Sequence, residues 1–119
     1  MSSDPVQYLA ATVRADLREA LRRRDRAAAS PLREILALVD QAGAVEAPQG
    51  YDYTGVAPTE VPRLAVTMAE VTAGLQRLVD ERQAAADTYR DLDQPDRAED
   101  HARAAAVIAS YLPSTAVSS

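Results

Sequence analysis

Between Met68 and Leu92 the large and apolar side chains fall at steps of three and four without a break: Met68, Val71, Leu75, Leu78, Arg82, Ala85, Tyr89 and Leu92. That is the spacing of one face of an α-helix, and it cannot serve the alternating faces of a strand. It commits this part of the chain to a long helix with a narrow seam, and a narrow seam must be covered by other helices. Just ahead of it, Thr67-Met68-Ala69-Glu70 has the form of a capping box, in which a hydroxyl and a carboxylate each satisfy a backbone amide. Pro95 ends the run and helps to start a last helix faced by Ala98, Ala102, Ala105, Ile108, Ala109 and Leu112, with Pro113 as its stop.

The N-terminal part reads the same way. Asp4 or Ser3 caps a first helix with Pro5 in its first turn, and Val6, Ala10, Val13, Leu17 and Leu21 make its stripe as far as about Arg24. Ser30-Pro31 is a second start signal, and Leu32, Ile35, Leu36 and Val39 form the buried face of that helix up to Gly43. Alternatively the helix begins near Asp25 and Pro31 kinks it from within. Periodicity is lost from Ala44 to Val66, where Pro48, Gly50, Gly55, Pro58 and Pro62 cluster with Tyr51 and Tyr53. This stretch reads as a long crossover laid over the bundle, with a partner-binding loop as the alternative. The expected architecture is all-α: a four-helix, bundle-like multihelical domain over residues 1–113, with one long crossover loop and a disordered tail at 114–119.

Composition narrows the chemistry. The 119 residues contain no Phe, Trp or Cys, so the core has to come from closely approaching helices rich in Ala, Leu and Val, and thiolate metal sites, disulfides and cysteine nucleophiles are excluded. The N-terminus has no basic segment followed by an apolar run, and no stretch is apolar for long enough to span a bilayer, which points to a soluble, cytoplasmic protein without a membrane role. The net charge of -5 argues against a general nucleic-acid binder. The charge is unevenly spread, however. Residues 14–33 hold seven Arg against three acids, a local charge of +4, while the remainder carries -9. All thirteen basic residues are Arg.

Within the basic segment, Arg14, Arg18 and Arg22 recur every fourth residue and stack on one helix flank, and Arg23, Arg24 and Arg26 extend the charge into the following turn. The set is a candidate RNA contact, against a solvated helix face whose last turn is cationic because the macrodipole favours it there. Arg33 and Arg82 lie on or beside apolar faces, where an arginine pairs with an acid such as Glu34, Asp16 or Asp80, or lines a pocket between helices. The acids Asp91, Asp93, Asp96, Glu99 and Asp100 do not make a calcium loop: counted from Asp91, the positions that need a Gly and a bidentate acid are Asp96 and Ala102. They read instead as residues that start the last helix. His101 is the single histidine and reads as a boundary residue of that helix's apolar stripe. With no lysine, no Gly-rich phosphate loop and no ligand cluster, neither a catalytic residue nor a metal or cofactor site is assigned.

Four pieces of the chain, in order, carry a family resemblance. Arg82, Tyr89, Asp96, Ala98 and the closing Tyr111-Leu112-Pro113, together with Ser30-Pro31-Leu32-Arg33-Glu34-Ile35-Leu36 and Thr59-Glu60-Val61-Pro62-Arg63, fall where proteins of the GatB/YqeY family have an Arg-rich helix, a Tyr, a turn before Asp-Leu-Ala, a final Tyr-Leu-Pro, a Ser-x-Leu-Arg segment and a linker. The resemblance spans roughly Val13 to Pro113. It implies a helical domain shared by free-standing YqeY-like proteins and the B subunit of the tRNA-dependent amidotransferase, which amidates misacylated Glu-tRNA or Asp-tRNA. It further implies a part in binding tRNA or the amidotransferase complex, with the carbon–nitrogen ligase chemistry in a domain not matched here. The sequence departs from the pattern in two places. Only six residues follow Tyr111-Leu112-Pro113, where a smaller helical domain is expected, and Asp93 stands where the turn after Tyr89 is expected to have a Gly.

The functional expectation is a non-catalytic YqeY-like domain accessory to tRNA-dependent amidation. Its RNA contacts would be Arg14, Arg18, Arg22, Arg23, Arg24 and Arg26, with Arg33, Arg82, Tyr89 and Tyr111 as structural or pocket residues. The alternative is a protein–protein adaptor or homo-oligomer that docks a partner through the long seam or through residues 44–66. An amide-forming enzyme in its own right is the third reading, and the residue inventory argues against it.

Overall fold

The computed structural model describes residues 4–43 and 67–113, and these form four helices and no strand. They are α1 (Pro5–Arg22), α2 (Arg26–Gly43), α3 (Met68–Asp91) and α4 (Pro95–Ala109). The all-α, four-helix architecture read from the periodicity is the one adopted. Residues 44–66, with Tyr51, Tyr53 and the Thr59–Arg63 segment, and the tail at 114–119 lie outside the described residues. None of the described helices is long and apolar enough to cross a membrane.

α1 and α3 start where the capping signals place them. Asp4 Oδ1 accepts from the Val6 amide at 3.0 Å, ahead of Pro5 in the first turn. At Thr67 both halves of the capping box are made, the Thr67 Oγ1 accepting from the Glu70 amide and Glu70 Oε1 accepting from the Thr67 amide, each at 3.1 Å.

α2 corrects the preferred reading of the sequence. Its N-cap is Asp25, whose Oδ1 accepts from the Ala28 amide at 3.2 Å, and not Ser30. Pro31 thus lies inside the helix, past its first turn, where its missing N–H leaves the Ala27 carbonyl without the usual helical partner. The ring is fully buried, and that burial offsets part of the lost bond. At the other end of the chain, α4 stops at Ala109, ahead of the predicted stop at Pro113.

The two helical hairpins, α1–α2 and α3–α4, turn in the same way. After α1, Arg24 adopts φ 58°, its amide bonds to the Leu21 carbonyl at 3.0 Å, and the Asp25 amide bonds to the Ala20 carbonyl at 2.8 Å. After α3, Asp93 adopts φ 59°, with Asp93 N–H to Arg90 O at 3.0 Å and Gln94 N–H to Tyr89 O at 2.8 Å. Both are Schellman caps with a left-handed residue just past the helix, and in both the next residue is the N-cap of the following helix. Asp93, where the sequence reading expected a Gly, adopts the left-handed conformation that a Gly enters most freely.

α2 and α3 each touch the other three helices. Val13 from α1, Ile35 from α2, Val71 and Leu75 from α3 and Ile108 from α4 are each fully buried, so one core draws on every helix. Each such side chain contributes about 1.5–3 kcal/mol of transfer free energy. The rest of the packing relies on small residues: Ala86, Ala98, Ala104 and Ala105 are buried in the α3–α4 hairpin, and Gly74 of α3 lies so close to α2 that a Cβ there would come within 2.7 Å of the Leu38 side chain.

Two stripe assignments need correction. Leu21 and Leu92 are 47% and 58% exposed, while Leu9, Ala20, Val79 and Ala86 are buried in their helices. A pattern that departs from 3.6 residues per turn drifts around a straight helix by roughly 20° per heptad, so the ends of a long stripe rotate away from the core.

Candidate functional site

The six arginines proposed as an RNA contact are all exposed, but the structure divides them. Arg22 hydrogen-bonds to Glu19 one turn back, and Arg23 lies 4.0 Å from the same carboxylate. Arg14, Arg18, Arg24 and Arg26 have no acid within ion-pair distance among the described residues. Arg24 and Arg26 open, with Arg33 and Ser30, on a cleft of about 460 Å³ at the α1–α2 turn, where Asp25 is also present. Arg33, expected to pair or to line a pocket, is exposed and belongs to this cleft.

A second group gathers where α3 and α4 meet α2. Arg82 Nε and Nη2 donate to Glu34 Oε1 and Oε2 at 3.3 and 2.8 Å, and Arg82 Nη1 lies 2.9 Å from His101 Nδ1. A guanidinium can only donate, so Nδ1 accepts and the ring proton in this arrangement sits on Nε2. His101 stacks on Tyr89 with centroids 5.3 Å apart and planes 5° from parallel, and the Arg97 guanidinium lies 5.6 Å from the Tyr89 centroid. The Glu34 partner was among the acids the sequence suggested for Arg82. His101, read as a boundary residue, is half-buried and joins Arg82 to Tyr89. The signal was available in the hairpin itself. Residues equally far from Asp93 on either side face one another, which sets His101 opposite Ala85, midway between Arg82 and Tyr89. All three nitrogens of Arg82 have partners within the fold, so the group acts as a brace between helices.

Tyr111 binds a third place. Its hydroxyl donates to Asp16 Oδ2, linking the segment after α4 back to α1. Burial, the hydrogen bond to Asp16 and the negative charge of that carboxylate, in that order, hold the phenol above its ordinary value. Asp16, a possible partner for the arginines in the sequence reading, is thus engaged with a tyrosine. On the same end of the bundle, Pro5, Tyr8, Leu9, Met68, Tyr111 and Pro113 line an open apolar groove of about 750 Å³, with Tyr8 74% exposed. No group of acids and histidines with the arrangement of a metal site occurs among the described residues.

No family model, no curated protein and no solved structure matches the chain.

Proposed function

We propose that the chain is a non-catalytic, YqeY-like helical domain that serves as an accessory to tRNA-dependent amidation and touches RNA through the basic end formed by α1 and the turn after it. The observation that carries the RNA contact is that Arg14, Arg18, Arg24 and Arg26 are exposed and unpaired among the described residues, two of them sharing one cleft with Arg33. In a molecule of net charge -5, exposed cations without an ion-pair partner along α1 and the turn after it form a local field suited to a polyanion. The link to amidation comes from the sequence resemblance. Arg82 and Tyr89, two residues that carry it, are joined through His101, which supports a structural duty for those positions.

The test is fluorescence anisotropy of labelled bulk tRNA over a salt series, with the wild type beside a variant carrying Arg14, Arg18 and Arg26 changed to Glu. Binding that falls with salt at a log–log slope of roughly -2 to -4, and that the variant loses, is the expected result. Absence of salt-sensitive binding, with no association with an amidotransferase complex, would remove the proposal. A different observation, the apolar groove around Tyr8, Met68 and Tyr111, favours the protein-adaptor reading. Sedimentation of the chain alone and with candidate partners tests it, and a monomer that binds none of them counts against it.

A further inference from the structure

We propose that the cleft at the α1–α2 turn is a phosphomonoester site, formed by the guanidinium groups of Arg24, Arg26 and Arg33 with the Ser30 hydroxyl, and that it takes the 5′-phosphate of an RNA end. The source of the phosphate rests on the RNA reading above; the chemistry of the site rests on the cleft itself.

Charge is the first ground. The cleft brings together three arginines and one acid, Asp25, a formal sum of +2. The Asp25 Oδ1 is engaged with the Ala28 amide at 3.2 Å and so is turned to the helix start. A surplus of two positive charges complements a phosphomonoester, which carries about -1.5 to -2 at neutral pH, better than the single charge of a backbone diester. Planar guanidinium forks present paired N–H donors to phosphate oxygens, and a hydroxyl adds one more.

The backbone at Arg24 is the second ground. Its φ of 58° is a conformation that a Gly adopts freely and that most L-residues adopt at a cost. Asp93 holds the same position in the other hairpin, but Asp is among the residues that enter this region readily, whereas Arg is not. The chain therefore keeps a long cation at a place where the turn alone would favour a smaller residue, and that cation lines the basic cleft. Residues held in sparsely populated backbone regions cluster at ligand-binding and active sites.

The neighbouring surface fixes which side the anion takes. Past Arg26 and Ser30 lies a second cleft that contains Arg82 and Asp100. Arg82 is already occupied by Glu34 and His101, and the Asp100 carboxylate repels an anion. The turn side remains, where a volume of about 460 Å³ leaves room for the sugar attached to the phosphate.

The experiment compares two single-stranded RNA 12-mers of one sequence, 3′-labelled, bearing a 5′-phosphate or a 5′-hydroxyl, by anisotropy, alongside thermal melting of the full chain with and without inorganic phosphate. The expected result is about tenfold tighter binding of the phosphorylated end, erosion of that advantage by millimolar inorganic phosphate, and a rise in Tm with phosphate. Arg24→Gly is the decisive variant because its two effects oppose. It should raise the Tm of the free protein by relieving the turn, yet abolish the preference for the phosphorylated end and the response to phosphate. Arg33→Gln, away from the strained turn, should weaken both in the same way. Equal binding of the two RNAs with no Tm response overturns the site and leaves the RNA reading standing. A phosphate-dependent rise in Tm that Arg24→Gly abolishes, with neither RNA bound, upholds the phosphate site and removes RNA as its source. Retention of the preference in Arg24→Gly, or no response to any of these ligands, overturns the proposal.

Discussion

Arg82 reaches from α3 to α2 and donates to both carboxylate oxygens of Glu34, a residue 48 positions earlier in the chain. One side chain, 18% exposed, thereby ties the second hairpin to the first while its remaining nitrogen holds His101. The pair is partly desolvated, so removing one partner strands the charge of the other.

Glu34→Ala is expected to cost about 1.5–3 kcal/mol, because it leaves a half-buried guanidinium without its carboxylate. Replacing both partners, as Glu34→Leu with Arg82→Met, is expected to cost less than the single change, since no charge is then stranded. Urea unfolding of the three proteins at neutral pH checks the order. A double variant less stable than Glu34→Ala would mean that the pair does more than neutralise itself.

Asp93→Gly is expected to stabilise the chain by about 0.5–1 kcal/mol, because the turn demands a left-handed residue and Gly enters that region without a Cβ penalty. Asp93→Val should do the reverse, a β-branched residue being among the least tolerant of positive φ. Thermal melting of both variants reads the sign. Equal Tm values would show that the turn relaxes out of the left-handed region at no cost.

These two sites also mark how far the sequence could be read. The four helices and the α1 and α3 caps are local properties, fixed by side-chain period and by polar residues within one turn, and they were legible. The true start of α2 was not, because Ser30-Pro31 and Asp25 are both credible N-caps in the sequence, and it is the Asp25 side chain that caps the Ala28 amide in the fold. The Arg82–His101 contact is a matter of how α3 folds back on α4, and only after Asp93 is known to be the turn residue can the facing positions be counted off. The division of the six arginines depends on Glu19, which takes Arg22 and Arg23 and leaves the others. Spacing alone could not separate them, since Arg14, Arg18 and Arg22 share one period.

The phenol of Tyr111 should ionise later than an ordinary tyrosine. Its pKa is higher in the folded chain than in the unfolded one, so its contribution to stability is whole below about pH 10 and is lost as pH rises beyond that value. An absorbance titration of tyrosinate should show a late phase that Tyr111→Phe removes. Asp16→Asn should move that phase only part of the way down, because burial is the largest of its causes. A wild-type titration with no late phase, or a late phase that persists in Tyr111→Phe, would contradict this reading of Tyr111.

Gly74→Ala is expected to change stability by less than about 1 kcal/mol, because the helix propensity gained is set against displacement of the Leu38 methyl groups, which are the free end of a flexible side chain. Gly74→Val puts a second branch into the same gap and should cost about 1–3 kcal/mol. Chemical denaturation distinguishes the two, and a tolerated Val would mean that α2 and α3 separate easily.

The alanines buried in the α3–α4 hairpin give the protein a lopsided tolerance of mutation. Ala86, Ala98, Ala104 and Ala105 have a single methyl each to lose, so truncation there takes little away, whereas enlargement has to displace packed neighbours. Where most cores suffer from side chains that shrink, this hairpin is exposed to side chains that grow. A saturation survey of these four positions would find the permitted residues crowded at the small end of the scale, with volume deciding survival before polarity does.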